Sequence, residues 1–217
     1  KYLFYEKKLE CIESLSLIQS KQLIDIIHYL YDCRIIHRDV CPQNLMLDHD
    51  SNHIKLIDFG FAFAFDTDNK GGSIDILGPL AFASKPFLDL YSKLLKRQGF
   101  PYYFYERTFD LICALNIIMA MSNADIKRTI DSFIYLQDVN ELVLKSLQLW
   151  KDTRQKLDSW YPLDESDGSN ESSVSHVSND QSAESDQSSI SNVSQGQSDQ
   201  SAIFDIIKDD IEKLFDV

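Results

Sequence analysis

Apolar residues recur at Leu15, Ile18, Leu23, Ile26, Ile27 and Leu30, spacings close to the helical period. That pattern predicts a helix over 15–33. The β-branched stretch Arg34-Ile35-Ile36 follows it. "NLMLD" (44–48) and "HIKLIDF" (53–59) then read as two brief strands around the polar link "HDSN". Residues 60–84 show no period, and Gly71-Gly72 and Gly78-Pro79 are turn formers, so an irregular segment is expected. "ERTFDLICALNIIMAMS" (106–122) is apolar nearly all round, which predicts a buried helix with Asp110 as a capping or first-turn carboxylate. Two amphipathic helices are predicted after it. "NADIKRTIDSFIYL" has Asn123 or Asp125 as its start signal, and "VNELVLKSLQLWKDTRQKL" has Asn140.

Composition changes sharply after residue 163. Residues 164–202 are Ser, Asp, Asn and Gln with no Lys or Arg and almost no core formers. Such a segment buries too little apolar surface to offset its ordering entropy, so it is expected to lack structure. In the closing stretch, Ile203, Phe204, Ile207, Ile211, Leu214 and Phe215 share one helical face, opposite an acidic one. The expected division is a folded unit over 1–158, a disordered acidic linker over 159–202, and an acidic amphipathic helix over 203–217. That helix is expected to dock on the folded unit or on a partner, because its apolar face is costly to leave in water.

The chain has 217 residues, 44% of them hydrophobic, enough for one ordinary core. Its formal charge of −13 is uneven. Residues 1–163 carry about −2 and the remainder about −11, so the acidity belongs to the tail. Nothing is basic enough to suggest nucleic-acid binding. Cys11, Cys33, Cys41 and Cys113 form no CxxC pair and no zinc spacing, which suits free thiols in a reducing compartment. The longest apolar run, 111–121, is too short to span a bilayer. An intracellular protein, cytoplasmic or nuclear, is expected. The opening "KYLFYEKKLE" has no initiator Met and suggests a piece of a longer chain.

Chemistry concentrates in "RIIHRDVCPQNLMLD" (34–48). His37-Arg38-Asp39 is followed after four residues by Asn44, and Asp58-Phe59-Gly60 comes fourteen residues later. An isolated "HRD" or "DFG" says little. Seven fixed positions in this order, across a helix, a loop and two strands, resemble the catalytic loop and metal-binding motif of the eukaryotic protein kinases. "GPLAFAS" (78–84) resembles the end of the activation segment, in the form used by the casein kinase group. "FDLICALNII" (109–118) resembles the central helix of the large lobe.

The resemblance implies an α+β, mainly α fold: a kinase-like C-terminal lobe with short strand pairs, no small lobe and a disordered tail. It implies ATP and Mg²⁺ as cofactors and a protein as substrate or partner; it is silent on oligomeric state. Asp39 would orient the acceptor hydroxyl and take its proton, while Asn44 and Asp58 would hold Mg²⁺, a hard cation that prefers oxygen ligands. Gly60 would let the backbone turn after the metal ligand. His37 would brace the loop as a packed core residue, and Asp110 would hydrogen-bond the loop backbone. Arg38 would pair with a phosphorylated residue, with Thr67 and Ser73 as candidates.

The pattern also breaks. Cys41 stands where the Ser/Thr kinases carry a Lys that stabilises charge on the γ-phosphate, and a thiol cannot replace it. Losing such a group costs about 10²–10³ in rate. Pro79 replaces a Thr, Lys85 stands near the usual Glu, and neither a Gly-rich loop nor a V-A-I-K strand occurs in 1–217. Two readings follow: an atypical Ser/Thr protein kinase in its full-length form, or a pseudokinase lobe that scaffolds partners. A small-molecule phosphotransferase of related fold is a weaker third.

Overall fold

The computed structural model describes residues 9–66, 71–157 and 193–215. In chain order, β1 (Glu10–Cys11) leads to α1 (Leu17–Asp32), then β2 (Ile35–Ile36), β3 (Leu45–Asp48), β4 (His53–Leu56), β5 (Phe63–Ala64) and β6 (Gly71–Asp75). Next come α2 (Lys85–Leu95), β7 (Tyr102–Glu106), α3 (Phe109–Ser122), α4 (Ala124–Ser132), α5 (Val139–Leu157) and α6 (Val193–Phe215). The fold is mainly α with short antiparallel strand pairs, as expected.

α1 forms where the periodicity places it, and its start is set by a capping box. The Ser16 hydroxyl accepts from the Gln19 amide, and the Gln19 side chain accepts from the Ser16 amide. Leu23, Ile24 and Ile27 bury its inner face. Gln22, on the same helix, accepts the Ile54 amide at 3.0 Å and so pins β4. β3 and β4 pair antiparallel, with Leu45 opposite Leu56 and Asp48 opposite His53, and β1 adds beside β3. The second expected strand is cut short at Leu56, because Asp58 takes a left-handed conformation (φ 62°) and ends the ladder.

Three local expectations are corrected. The segment 60–84 is not simply irregular. β5 pairs with β2, and β6 pairs over five residues with β7, from Gly71 opposite Glu106 to Asp75 opposite Tyr102. The partner strand lies about thirty residues downstream, so no local pattern announces it. The buried helix starts at Phe109, because Glu106 ends β7. The start of α5 is marked by Asp138, whose carboxylate accepts the Asn140 amide at 2.9 Å, and not by Asn140 itself.

α3 is buried along most of its length, including Asp110, Cys113, Ala114, Asn116, Ile117 and Ile118. Among the described residues no single helix is long and apolar enough to cross a membrane. Asp110 lies in the first turn but caps nothing locally. Its Oδ2 accepts the His37 amide and its Oδ1 accepts the Arg38 amide at 3.0 Å, joining α3 to the turn after β2.

α6 begins at Val193, ten residues before the predicted helix start at 203 and inside the stretch expected to lack structure. Its early turns carry no apolar face that periodicity could detect. The remainder of that linker, 158–192, lies outside the described residues. Phe204, Ile207 and Ile211 are buried and pack α6 against α1 and α3. The Phe204 ring stacks on His28 at 4.3 Å and meets Tyr31 at 5.3 Å. Lys208 reaches Asp25 at 2.6 Å, and Lys21 pairs with Glu212. These exposed ion pairs contribute little, roughly 0–1 kcal/mol each, so the apolar face decides the docking.

Two outcomes follow from this packing. Phe204→Ala should cost about 3 kcal/mol, read from urea unfolding, with faster amide exchange over 202–212; an unchanged midpoint would mean that α6 does not rest on α1. Burial raises the Asp110 carboxyl to about 6, against the two amide bonds and the Arg38 charge that pull it back. Folded Asp110 therefore holds its proton more tightly than the unfolded chain, and its stabilising contribution declines as pH climbs from about 4 through about 6. The stability advantage of the parent over Asp110→Asn should shrink across that window. A pH-independent difference in unfolding midpoints would contradict the assignment.

Candidate active site

The loop between β2 and β3 is held from below by buried groups. His37 is fully buried. Its Nε2 lies 2.9 Å from the Ile57 carbonyl, and its Nδ1 accepts the Asp39 amide at 3.3 Å. Nε2 therefore carries the proton in the neutral ring. Burial lowers the His37 pKa, opposed by the Ile57 bond and by the charges of Asp39 and Asp58. A neutral brace, with one nitrogen donating and the other accepting, ties the loop to the end of β4. The Phe59 ring meets the imidazole edge-on at 4.7 Å.

Asn44 sits in a short 3₁₀ turn opened by Pro42, which suits its first position. The Asn44 Nδ2 donates to both the Asp39 carbonyl and the Asp39 Oδ2, each at 2.9 Å. With Nδ2 committed to Asp39, the amide oxygen of Asn44 is not used in that contact. The Ile57 amide donates to the Asn44 carbonyl at 2.9 Å, one residue before Asp58. Asp58 uses Oδ1 to accept the Gly60 amide at 3.3 Å, leaving Oδ2 for another partner. A Cβ on Gly60 would stand 3.1 Å from that Oδ1, so a larger residue would crowd the turn. Asp39, Asn44 and Asp58 thus lie on directly bonded loops. An amide oxygen from Asn44 and a carboxylate from Asp58 are hard donors, chemically suited to Mg²⁺. Among the described residues no cluster of three or more His, Cys, Asp or Glu offers an alternative metal site.

Arg38 and Asp58 both adopt left-handed backbone (φ 66° and 62°). For residues other than glycine this costs on the order of 1–3 kcal/mol and persists only where the surroundings enforce it. At Arg38 the enforcement is visible. Its amide is held by Asp110, its Nε donates to the Phe61 carbonyl at 2.6 Å, and its Nη1 donates to the Asp75 carbonyl at 3.3 Å. Ser73 is exposed on β6 opposite Phe104 and lines a small cavity with Arg38. Thr67 lies outside the described residues.

Cys41 faces a cleft of about 590 Å³ with Asp39 at its wall and Leu80, Phe82, Met121 and Ile130 among its apolar lining. Of the three oxygen donors only Asp39 lines it; Asn44 and Asp58 do not. Burial first, then the Asp39 charge, raises the Cys41 thiol to about 11. It is a neutral thiol at physiological pH and supplies no charge.

Several supporting residues escape sequence reasoning. Asn116 and Trp150 donate to the carbonyls of Phe82 and Ala81, each at 2.8 Å, and fix the cleft's far wall. Gly78 packs where a Cβ would lie 3.0 Å from Phe87 and 3.2 Å from Phe109. Tyr105, fully buried, bonds the backbone at Leu77. Only Gly78 was flagged in the sequence, as a turn former; the rest serve through contacts distant along the chain.

A family model described as the protein kinase domain matches residues 7–86. An Aurora kinase from Candida glabrata is 42% identical over 62 residues, 27% of this chain and 17% of its own length. A serine/threonine-protein kinase from Caenorhabditis briggsae is 37% identical over 65 residues, 30% of this chain and 13% of its own. The cAMP-dependent protein kinase catalytic subunit of Schizosaccharomyces pombe is 35% identical over 78 residues, 35% of this chain and 15% of its own. Each match thus spans less than a fifth of the relative. The matched residues carry His37 to Asn44 and Asp58 to Gly60 in order, so this part of the chain is similar to the protein kinase domain.

Proposed function

We propose that this chain is the catalytic large lobe of an ATP-dependent Ser/Thr protein kinase. The observation that carries the reading is the Asn44 amide bonded to the Asp39 carboxylate, one residue's reach from Asp58. Asp39 is the base: its carboxylate, steered by Asn44, orients the acceptor hydroxyl and takes its proton. Asn44 and Asp58 hold Mg²⁺ through oxygen. When bound, Mg²⁺ and ATP supply the transferable phosphoryl group and neutralise its charge. His37, Arg38 and Asp110 keep the loop rigid, and Gly60 permits the turn that aims Asp58. The apolar cleft beside Asp39 receives the substrate segment that carries the hydroxyl.

A second reading rests on Cys41. With a neutral thiol in place of the cation, the lobe retains loop geometry but loses charge stabilisation next to Asp39. A protein-binding pseudokinase needs only the geometry.

The two readings part on one measurement. Mg-ATP-dependent phosphorylation by the longest natural form of the protein should fall to background in Asp39→Asn; equal signal from both proteins would remove the enzymatic reading. Cys41→Lys should raise the rate about 10²-fold, since it restores the missing cation. A rate unchanged by that substitution, in an otherwise active protein, would show that charge at this position is supplied from elsewhere.

A further inference from the structure

β7 arises from the connection between α2 and α3, and its side chains alternate. Tyr102 and Phe104 are exposed, Tyr103 is half-buried and Tyr105 is fully buried. The alternation sends Tyr105 beneath β6 and into the aromatic group of Phe87, Tyr103 and Phe109, whose rings lie 4.9–6.2 Å from its own. The hydroxyl emerges on the other side. It accepts the Leu77 amide at 2.7 Å and donates to the Leu77 carbonyl, with the Asp75 carbonyl 3.4 Å away. The Arg38 guanidinium lies over the Tyr105 ring at 5.5 Å, and Arg38 also bonds the Asp75 carbonyl. One side chain therefore touches both the segment after β6 and the arginine next to Asp39.

A guanidinium left in a half-buried place needs partners. Here two backbone carbonyls and an aromatic face provide them, and each is fixed by the β6–β7 pairing or by the turn after Asp58. Arg38 and residues 71–77 are thus held by contacts within the protein. We propose that Tyr105 is a positioning residue: from β7 it fixes the backbone of 75–77 and the Arg38 side chain, and so assembles the Asp39 loop without phosphorylation of the 71–77 segment. Its bearing on catalysis rests on the kinase reading above, whereas the positioning itself is tested without any assay of activity.

The test uses the full 217-residue chain, phosphatase-treated and checked by mass spectrometry for absence of phosphate. Amides in the β6–β7 ladder should be protected from exchange in this form. Tyr105→Phe keeps the ring and removes only the hydroxyl, so exchange at Leu77 should quicken about five- to tenfold, the worth of one net hydrogen bond. Exchange in α1 should be unchanged. The Arg38 Nε–H resonance, sheltered by Phe61, should be seen in the parent, weaken in Tyr105→Phe and vanish in Tyr105→Leu. Phe104→Ala, on the exposed face of the same strand, should leave it intact. A 71–77 segment that exchanges freely until Ser73 is phosphorylated would overturn the proposal, as would an Arg38 signal indifferent to both Tyr105 substitutions. Loss of phosphorylation activity in the parent protein, with these resonances behaving as stated, would sink the kinase reading and leave the positioning role standing.

Discussion

The buried Asp110 carboxylate is the constraint on which the site depends. It draws the amides of His37 and Arg38 onto the start of α3. An amide pair pointing into a protein interior must find acceptors, and no strand or helix provides them at this turn. A carboxylate can accept both at once. That demand fixes Arg38 in a left-handed conformation, which in turn delivers Asp39 to the cleft wall and allows Asn44 to close on it. Neutral His37 completes the brace from the opposite side through Ile57.

The site's electrostatics follow from the same burial. Asp110 and Cys41 are both pushed towards their protonated forms by loss of water, and His37 is pushed towards its neutral form. Cys41 and His37 are thereby neutral at physiological pH, and the charges at the base of the loop are those of Asp110 and Arg38. On the kinase reading, charge stabilisation of a phosphoryl group comes from a residue other than Cys41, which is neutral. The proposed function and its alternative differ on this single deficit, and on nothing in the backbone.

Around the loop, distant elements act as clamps. Trp150 from α5 and Asn116 from α3 hold the 81–82 backbone, Tyr105 from β7 holds 75–77, and Gln22 from α1 holds β4. Each uses a polar tip on a largely buried side chain, so packing and hydrogen bonding reinforce each other. α6 covers the opposite side of α1 with an apolar face and leaves its acidic face to solvent.

Local patterning determined much by itself. The periodicity of 15–33, the short apolar stretches of β3 and β4 around a polar link and the nearly unbroken apolar character of α3 each depend on neighbours within a few residues. The ordered spacing of His37, Arg38, Asp39, Asn44 and Asp58 was likewise legible, because one short loop and one hairpin contain it. Tertiary structure alone decided that β6 finds β7, that Tyr105 reaches Arg38, and that Asp110 serves a distant loop and not its own helix. The physical reason is common to these cases. Strand partners and buried hydrogen-bond acceptors are chosen by what lies close in space, and residues thirty to seventy positions apart leave no periodic trace of their meeting.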